Sequence, residues 1–398
     1  MSTTERASPL PHYPFSFRGD DGLAPALKRF LLHEPVAGVV TNAGDPAWLV
    51  TGYALAREAL KDRRLSRSTI SDPTMPQEDM GAPPFAVVGT MHMLRTAGLR
   101  DEAVKGLSPR QPYISLARVR GIADELLDTM VRNGSSGDLV EDFALPWAAR
   151  TTCELLGLPR EAAVELGSWF DLMATGPVGD EILPTAWPAS LDRFRTWADN
   201  LEETGLLVCL KRLNDTSPQP LSQEQFTEIG QMLAFSGLAN PAAFLVACGL
   251  ALARDPELSE RLRLRPGLVP RMVQEVYRWA PLLGDSIARI ATEDLVIGHV
   301  HVKAGQLVMI STDAANHDPA VFPDPERLDI DREAAPHLRF GQGSHYCPAA
   351  ALNQMQTEVA LQALVAGMPN LRLATDAPIE WREHHAVLMP VRVPARWA

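Results

Sequence analysis

Four cysteines in 398 residues, no two of them spaced C-x-x-C, are too few and too scattered for a disulfide framework or a zinc site. They fit a reducing interior. Basic residues are also short: 37 Lys and Arg face 49 Asp and Glu, a net charge of −12, which argues against nucleic acid or an anionic membrane as partner. The stretch from Met1 to Phe15 carries charge and prolines but no apolar core of the kind a secretory signal needs, so a cytoplasmic protein is expected. No low-complexity linker or internal repeat divides the chain, and residues 1–398 are expected to form one large domain. No G-x-G-x-x-G follows a strand pattern and no iron–sulfur cysteine cluster occurs, so the chain carries no reductase module of its own. One apolar run is long: no residue from Ile229 to Ala253 is charged, which is enough to cross a bilayer. Gln231, Ser236, Asn240, Pro241 and three glycines within it favour instead a helix buried in the core of a soluble protein.

What is present is led by the run Phe340-Gly341-Gln342-Gly343-Ser344-His345-Tyr346-Cys347, followed by Leu352, Met355 and Val359 at helical spacing and ended by Gly367 and Pro369. This sets a cysteine at the mouth of a helix, where free backbone N–H groups and the positive end of the helix dipole favour a thiolate. Pro348 suits the first helical turn, where no N–H is needed. The glycines clear side chains from a backbone that must lie close to something flat. The spacing F-G-x-G-x-H-x-C resembles the haem-binding loop of the cytochromes P450, whose cysteine thiolate is the axial iron ligand.

Other segments carry the same resemblance. Glu275 and Arg278, three apart on a helix starting near Pro270, match the family's E-x-x-R. Phe322 to Arg327 matches its F-x-P-x-R region, and Asn316-His317-Asp318-Pro319 lies between them in the family's order. The resemblance implies a mainly α fold with small β sheets, one haem b, and a Glu275–Arg278–Arg327 network. Short β segments are expected at Ala47–Val50, before a helical stretch Ala54–Lys61, and at Leu295–Ile297 and Gln306–Ile310 around a turn with Gly298 and Gly305.

Two departures from the family pattern stand out. Its oxygen-pocket helix carries A-G-x-(D/E)-T, an acid and an alcohol that deliver protons. Here the matching residues are Ser236-Gly237-Leu238-Ala239-Asn240, so the acid is Ala239 and the alcohol is Asn240. Alanine relays nothing, and an amide orients water but is a poor acid. Pro241 removes the N–H that would bond the Gly237 carbonyl, leaving that oxygen free beside the site. The second departure is in H-x-x-x-R, which gives the family two propionate partners on one helix. Here Thr96 takes the His position and Arg100 keeps the Arg position. Arg289 and His345 match further propionate contacts, and guanidinium pairs a carboxylate bidentately.

The segments Pro14–Asp20, Ala47–Val50, Tyr53–Leu55, Asp62–Arg64 and Ala97–Arg100 look like those of the P450s that oxidise cyclodipeptides, either by cross-linking the rings of cyclo-dityrosine or by joining tryptophan-containing diketopiperazines. That resemblance implies oxidative C–C or C–N coupling. Its alternatives are a conventional monooxygenase acting on a small apolar natural product and a catalytically silent protein that binds haem and a ligand. Pocket-facing segments in the family fall on Phe85-Ala86-Val87-Val88, Met91, Ser286-Ile287-Ala288 and Val387-Leu388, an apolar set with one hydroxyl, suited to an uncharged aromatic ligand. His384 and His385 lie near the same channel. Electrons must come from a separate ferredoxin and ferredoxin reductase, and Lys105, Arg110 and Arg339 are candidates to meet an acidic ferredoxin.

Overall fold

The computed structural model describes residues 10–15, 22–78, 85–174, 182–282, 286–333, 336–382 and 387–397; for Phe85–Val88 and for 169–188 the side chains are left out. Ser16–Asp20, His384 and His385 lie outside the described residues.

The uncharged run is the middle of a 32-residue helix, Gln223–Arg254. A reciprocal cap starts it: Ser222 Oγ accepts from Gln225 N at 3.1 Å, and Gln225 Oε1 accepts from Ser222 N at 3.0 Å. Pro241 sits inside the helix without ending it. Of the most apolar stretch, 72% is buried against protein, so this is a core helix and its length needs no membrane. Helix Leu145–Leu156 packs closely across it. Gly237 permits that approach, since a Cβ there would lie 2.9 Å from both Thr152 Cγ2 and Oγ1. Helices Leu116–Asn133, Val269–Trp279 and Ala350–Gly367 complete the main core, in which Trp147, Phe143, Leu238 and Tyr277 are fully enclosed.

The β structure differs from the reading by local pattern. Strands Val36–Val40 and Pro46–Val50 form an antiparallel pair. Pro46–Val50 then runs parallel to Leu307–Ile310, which pairs antiparallel with Ile287–Ala291, and Leu65–Ser66 closes the far edge. Leu295–Ile297 does not belong to this sheet; it turns at Gly298 (φ 60°) and pairs with Val300–Val302. The two segments expected to share a patch are therefore in different sheets.

Glu275 and Arg278 are 7% and 2% exposed and bonded by two parallel contacts, Arg278 Nε to Glu275 Oε2 at 2.9 Å and Nη2 to Oε1 at 2.8 Å. Arg278 also donates to the carbonyls of Asn316 (3.0 Å), Pro325 (2.8 Å) and Arg327 (3.2 Å). The third cation is Arg332, whose Nε donates to Glu275 Oε1 at 3.1 Å. This corrects the expectation for Arg327: its side chain is exposed and only its carbonyl joins the network. Arg339 is also corrected as a docking residue. It is 4% exposed, ion-paired with Asp313, and donates to the carbonyls of Tyr277 (2.9 Å) and Ala280, tying the cysteine loop to the end of Val269–Trp279.

Candidate functional site

The loop ending at Cys347 is shaped by two glycines in the left-handed region, Gly341 and Gly343, both at φ 73°. A Cβ on Gly343 would stand 3.1 Å from Leu60 O and Lys61 Cα, so the loop rests directly on the end of helix Tyr53–Lys61. Cys347 N donates to Phe340 O at 3.0 Å and closes the loop. Pro348 lies in the turn just ahead of Ala350, the first helical residue, rather than within the first turn. The backbone N–H groups of Ala349 and Ala350 bond the Cys347 sulfur and pull its pKa down, but burial is the larger influence and holds the thiol above its ordinary value. The helix mouth alone therefore does not ionise it; a coordinated metal deprotonates a thiol outright.

A cavity of about 370 Å³ opens over this loop. Phe340, Cys347, Ala349, Leu352, Asn353 and Gln356 line it from the loop and the helix that follows, and Ser236, Gly237, Asn240, Pro241 and Phe244 line it from the core helix. Thr90, Met91, Thr151, Thr152, Leu155, Met232, Leu233 and Ile287 contribute walls. Of the residues expected at the site, Gly237, Asn240, Met91, Ile287, Phe340 and Cys347 are thus brought together. Ala239 is wholly buried in the core and is not among the lining residues. Ser286 is tied to Tyr13, hydroxyl to hydroxyl at 2.7 Å, while Val387 and Leu388 are 7% and 5% exposed; none of these three is among the described lining residues. Phe85, Ala86 and Val87 lie in helix Phe85–Thr96, their side chains outside the described set. Ser236 was legible as a lining residue, since it lies one turn before Asn240 on the same helical stripe. Asn240 Nδ2 donates to Ser236 O at 3.4 Å, so the two polar groups meet at the cavity.

Beside the loop, Arg289, Arg67 and Arg95 gather around His345. Arg289 is 2% exposed, donates to Ala288 O at 2.8 Å, and is pushed down to about 9 by burial and then by Arg67. Burial likewise lowers Arg67, with Glu78 opposing. His345 falls to about 4 through desolvation, then through Arg289, Arg67 and Arg95. Arg100 is 3.7 Å from exposed Asp101, and its Nε is buried with no hydrogen-bond partner. The spacing predicts Thr96 and Arg100 on one helix; the structure corrects this, because they lie on two. Thr96 ends Phe85–Thr96 with its hydroxyl on His92 O at 3.2 Å, Gly98 turns the chain at φ 74°, and Arg100 begins the next helix. The neighbouring Arg95, not Thr96, supplies charge toward His345. An orphaned guanidinium N–H and like charges held together under burial fit a bound group with two carboxylates, as haem has.

The family model for Cytochrome P450 matches residues 249–367. Mycocyclosin synthase of Mycobacterium tuberculosis is 33% identical over 400 residues, covering 98% of this chain and 100% of that protein. Mycinamicin IV hydroxylase/epoxidase of Micromonospora griseorubida is 33% identical over 377 residues, covering 92% of this chain and 93% of the relative. Among solved structures, that of cytochrome P450mel 107F1 with biaryl coupling reactivity superposes with a TM-score of 0.87 at 29% identity, over 98% of this chain and 100% of that one. The chain belongs to the cytochromes P450 and is a haem-thiolate oxidoreductase of that family.

Proposed function

We propose that Cys347 ligates the haem iron, that Arg289, Arg100 and His345, joined by Arg67 and Arg95, hold the propionates, and that the enzyme couples two aromatic rings of cyclodipeptides by a C–C or C–N bond. The observation that carries the coupling reading is the cavity wall at Ser236–Asn240. An apolar chamber meets the oxygen-binding helix at Ser236, Gly237, Asn240 and Pro241, where an amide stands in place of the alcohol, and Ala239, in place of the acid, lies in the core behind that wall. The names of mycocyclosin synthase and of the biaryl-coupling P450 lend support, since joining rings is within the reach of this scaffold. The haem supplies oxygen activation and the one-electron oxidation of a ring. The protein's part is to hold two electron-rich rings against each other in an apolar chamber, with Met91 and Met232 adapting its shape. Asn240, with the Ser236 hydroxyl and the Gly237 carbonyl left unbonded by Pro241, fixes water for slow proton delivery. Overall, two substrate C–H or N–H bonds are lost, one bond forms, and dioxygen takes up those two hydrogens with two further electrons and two protons to leave as water. The electrons come from a ferredoxin and its reductase, in the cytoplasm.

Titrating tryptophan-containing cyclodipeptides into the ferric protein should raise its spin state. Turnover should give products two hydrogens lighter than the summed reactants, with no label from heavy oxygen gas. A main product carrying one labelled oxygen atom would instead establish a hydroxylase, the activity named in the mycinamicin relative. No spin shift and no turnover over a broad panel would mark a silent haem protein.

A further inference from the structure

Tyr277 has no part in the reaction above, yet its polar end is sealed beneath the cavity. It is fully buried, and its hydroxyl donates to Asn353 Oδ1 at 2.6 Å and lies 3.3 Å from Thr357 Oγ1. Phe340 and Phe244 pack on its ring edge-to-face, at centroid distances of 5.1 and 4.4 Å, so the ring has little freedom to turn. Asn353 is 8% exposed, and the cavity it lines is the one that Cys347 lines. It stands one helical turn beyond the Ala349 and Ala350 amides that bond the sulfur, its own N–H donating to Ala349 O at 2.8 Å. With Oδ1 taken by Tyr277, the amide offers its two N–H donors on the other side of the planar group.

We infer that Asn353, aimed by Tyr277, is a positioning residue that presents an amide N–H to the sulfur side of the cofactor and thereby raises its reduction potential. The inference rests on Cys347 being the iron ligand and is independent of the substrate. A donor on that side stabilises the more electron-rich reduced state more than the oxidised one. The two backbone amides bond the sulfur itself, and the side-chain N–H of Asn353 acts from one helical turn further on, as a dipole beside them. The phenol is needed because a free amide would turn either face to the cavity; a 2.6 Å bond in a dry site fixes one.

The test is the midpoint potential of the haem-loaded protein, with its ferrous–CO spectrum. Asn353→Leu keeps the branching of the side chain and removes the amide, and should lower the reduction equilibrium constant about tenfold, ~59 mV for a one-electron couple. Tyr277→Phe should shift it in the same direction by less, since the amide remains but is no longer aimed. The double variant leaves neither polar group orphaned, so it is the one best placed to fold, and should sit at the Asn353→Leu potential. An unchanged potential in the double variant, with the thiolate–CO band intact, would overturn the inference and leave Tyr277–Asn353 a packing bond. Absence of that band in the unaltered protein would overturn the ligation reading instead, and this inference with it.

Discussion

Asn240 and Gly237 lie three residues apart on one helix and have separable jobs. If Asn240 orients water for proton delivery, Asn240→Ala should slow coupling at least ~10-fold while leaving the ligand-induced spin shift intact. That loss is smaller than the ~10²–10⁴ typical of a direct proton donor. An unchanged turnover rate would remove the amide from the mechanism. Gly237 answers to packing, because Thr152 occupies the place a methyl would take. Gly237→Ala should cost ~1–3 kcal/mol in denaturant unfolding. Adding Thr152→Ala should restore most of it, since both crowding atoms belong to that side chain; no recovery would locate the strain elsewhere.

Between elements, one buried polar joint is Glu275 with Arg278 and Arg332. Glu275→Ala strands two cations at 2% and 11% side-chain exposure, and ~3–5 kcal/mol of destabilisation is expected. Arg327→Ala should stay within ~0.5 kcal/mol, as for most surface changes, because the network takes only its carbonyl. A large Arg327 effect with a small Arg332 one would reverse this assignment. The difference shows what the sequence can carry. Glu275 and Arg278 are legible because three residues along a helix fix which side chains meet. The third member comes from an irregular segment, where nothing periodic says which of two arginines five residues apart turns inward. The same holds for the cation cluster beside the cysteine loop. Arg289 and His345 are legible from their local motifs. Arg67 and Arg95 reach the cluster by tertiary packing alone, and the turn at Gly98 breaks the register that paired Thr96 with Arg100. The sheets follow suit: strand segments can be read from alternation, but Pro46–Val50 beside Leu307–Ile310 is a pairing across more than two hundred and fifty residues that no local pattern encodes.

For the whole molecule, acid is the exposed flank. Burial holds His317 and His337 at about 4, below the ~6.5 of an unfolded imidazole. The folded state keeps both neutral, so their contribution is complete above ~6.5, fades as pH falls from there to about 4, and is then gone. Each accounts for ~3 kcal/mol over that window. Urea unfolding of the haem-loaded protein at pH 7 and pH 4.5 should show the decline, and His317→Gln should flatten it; an equal slope in the variant would shift the cause to other groups.

The cationic cradle also has an order in time. A ribosome releases Arg67, Arg95 and Arg100 long before Arg289, and His345 and Cys347 almost last. The strand that joins Pro46–Val50 to the rest of its sheet arrives only with residues 307–310. For most of its synthesis the nascent chain therefore holds half of a charge cluster and an open sheet edge, with nothing to close either. The two halves of the chain meet at the loop resting on Leu60 and Lys61, and a chain halted before residues 307–310 keeps an unpaired strand edge of the kind that invites aggregation.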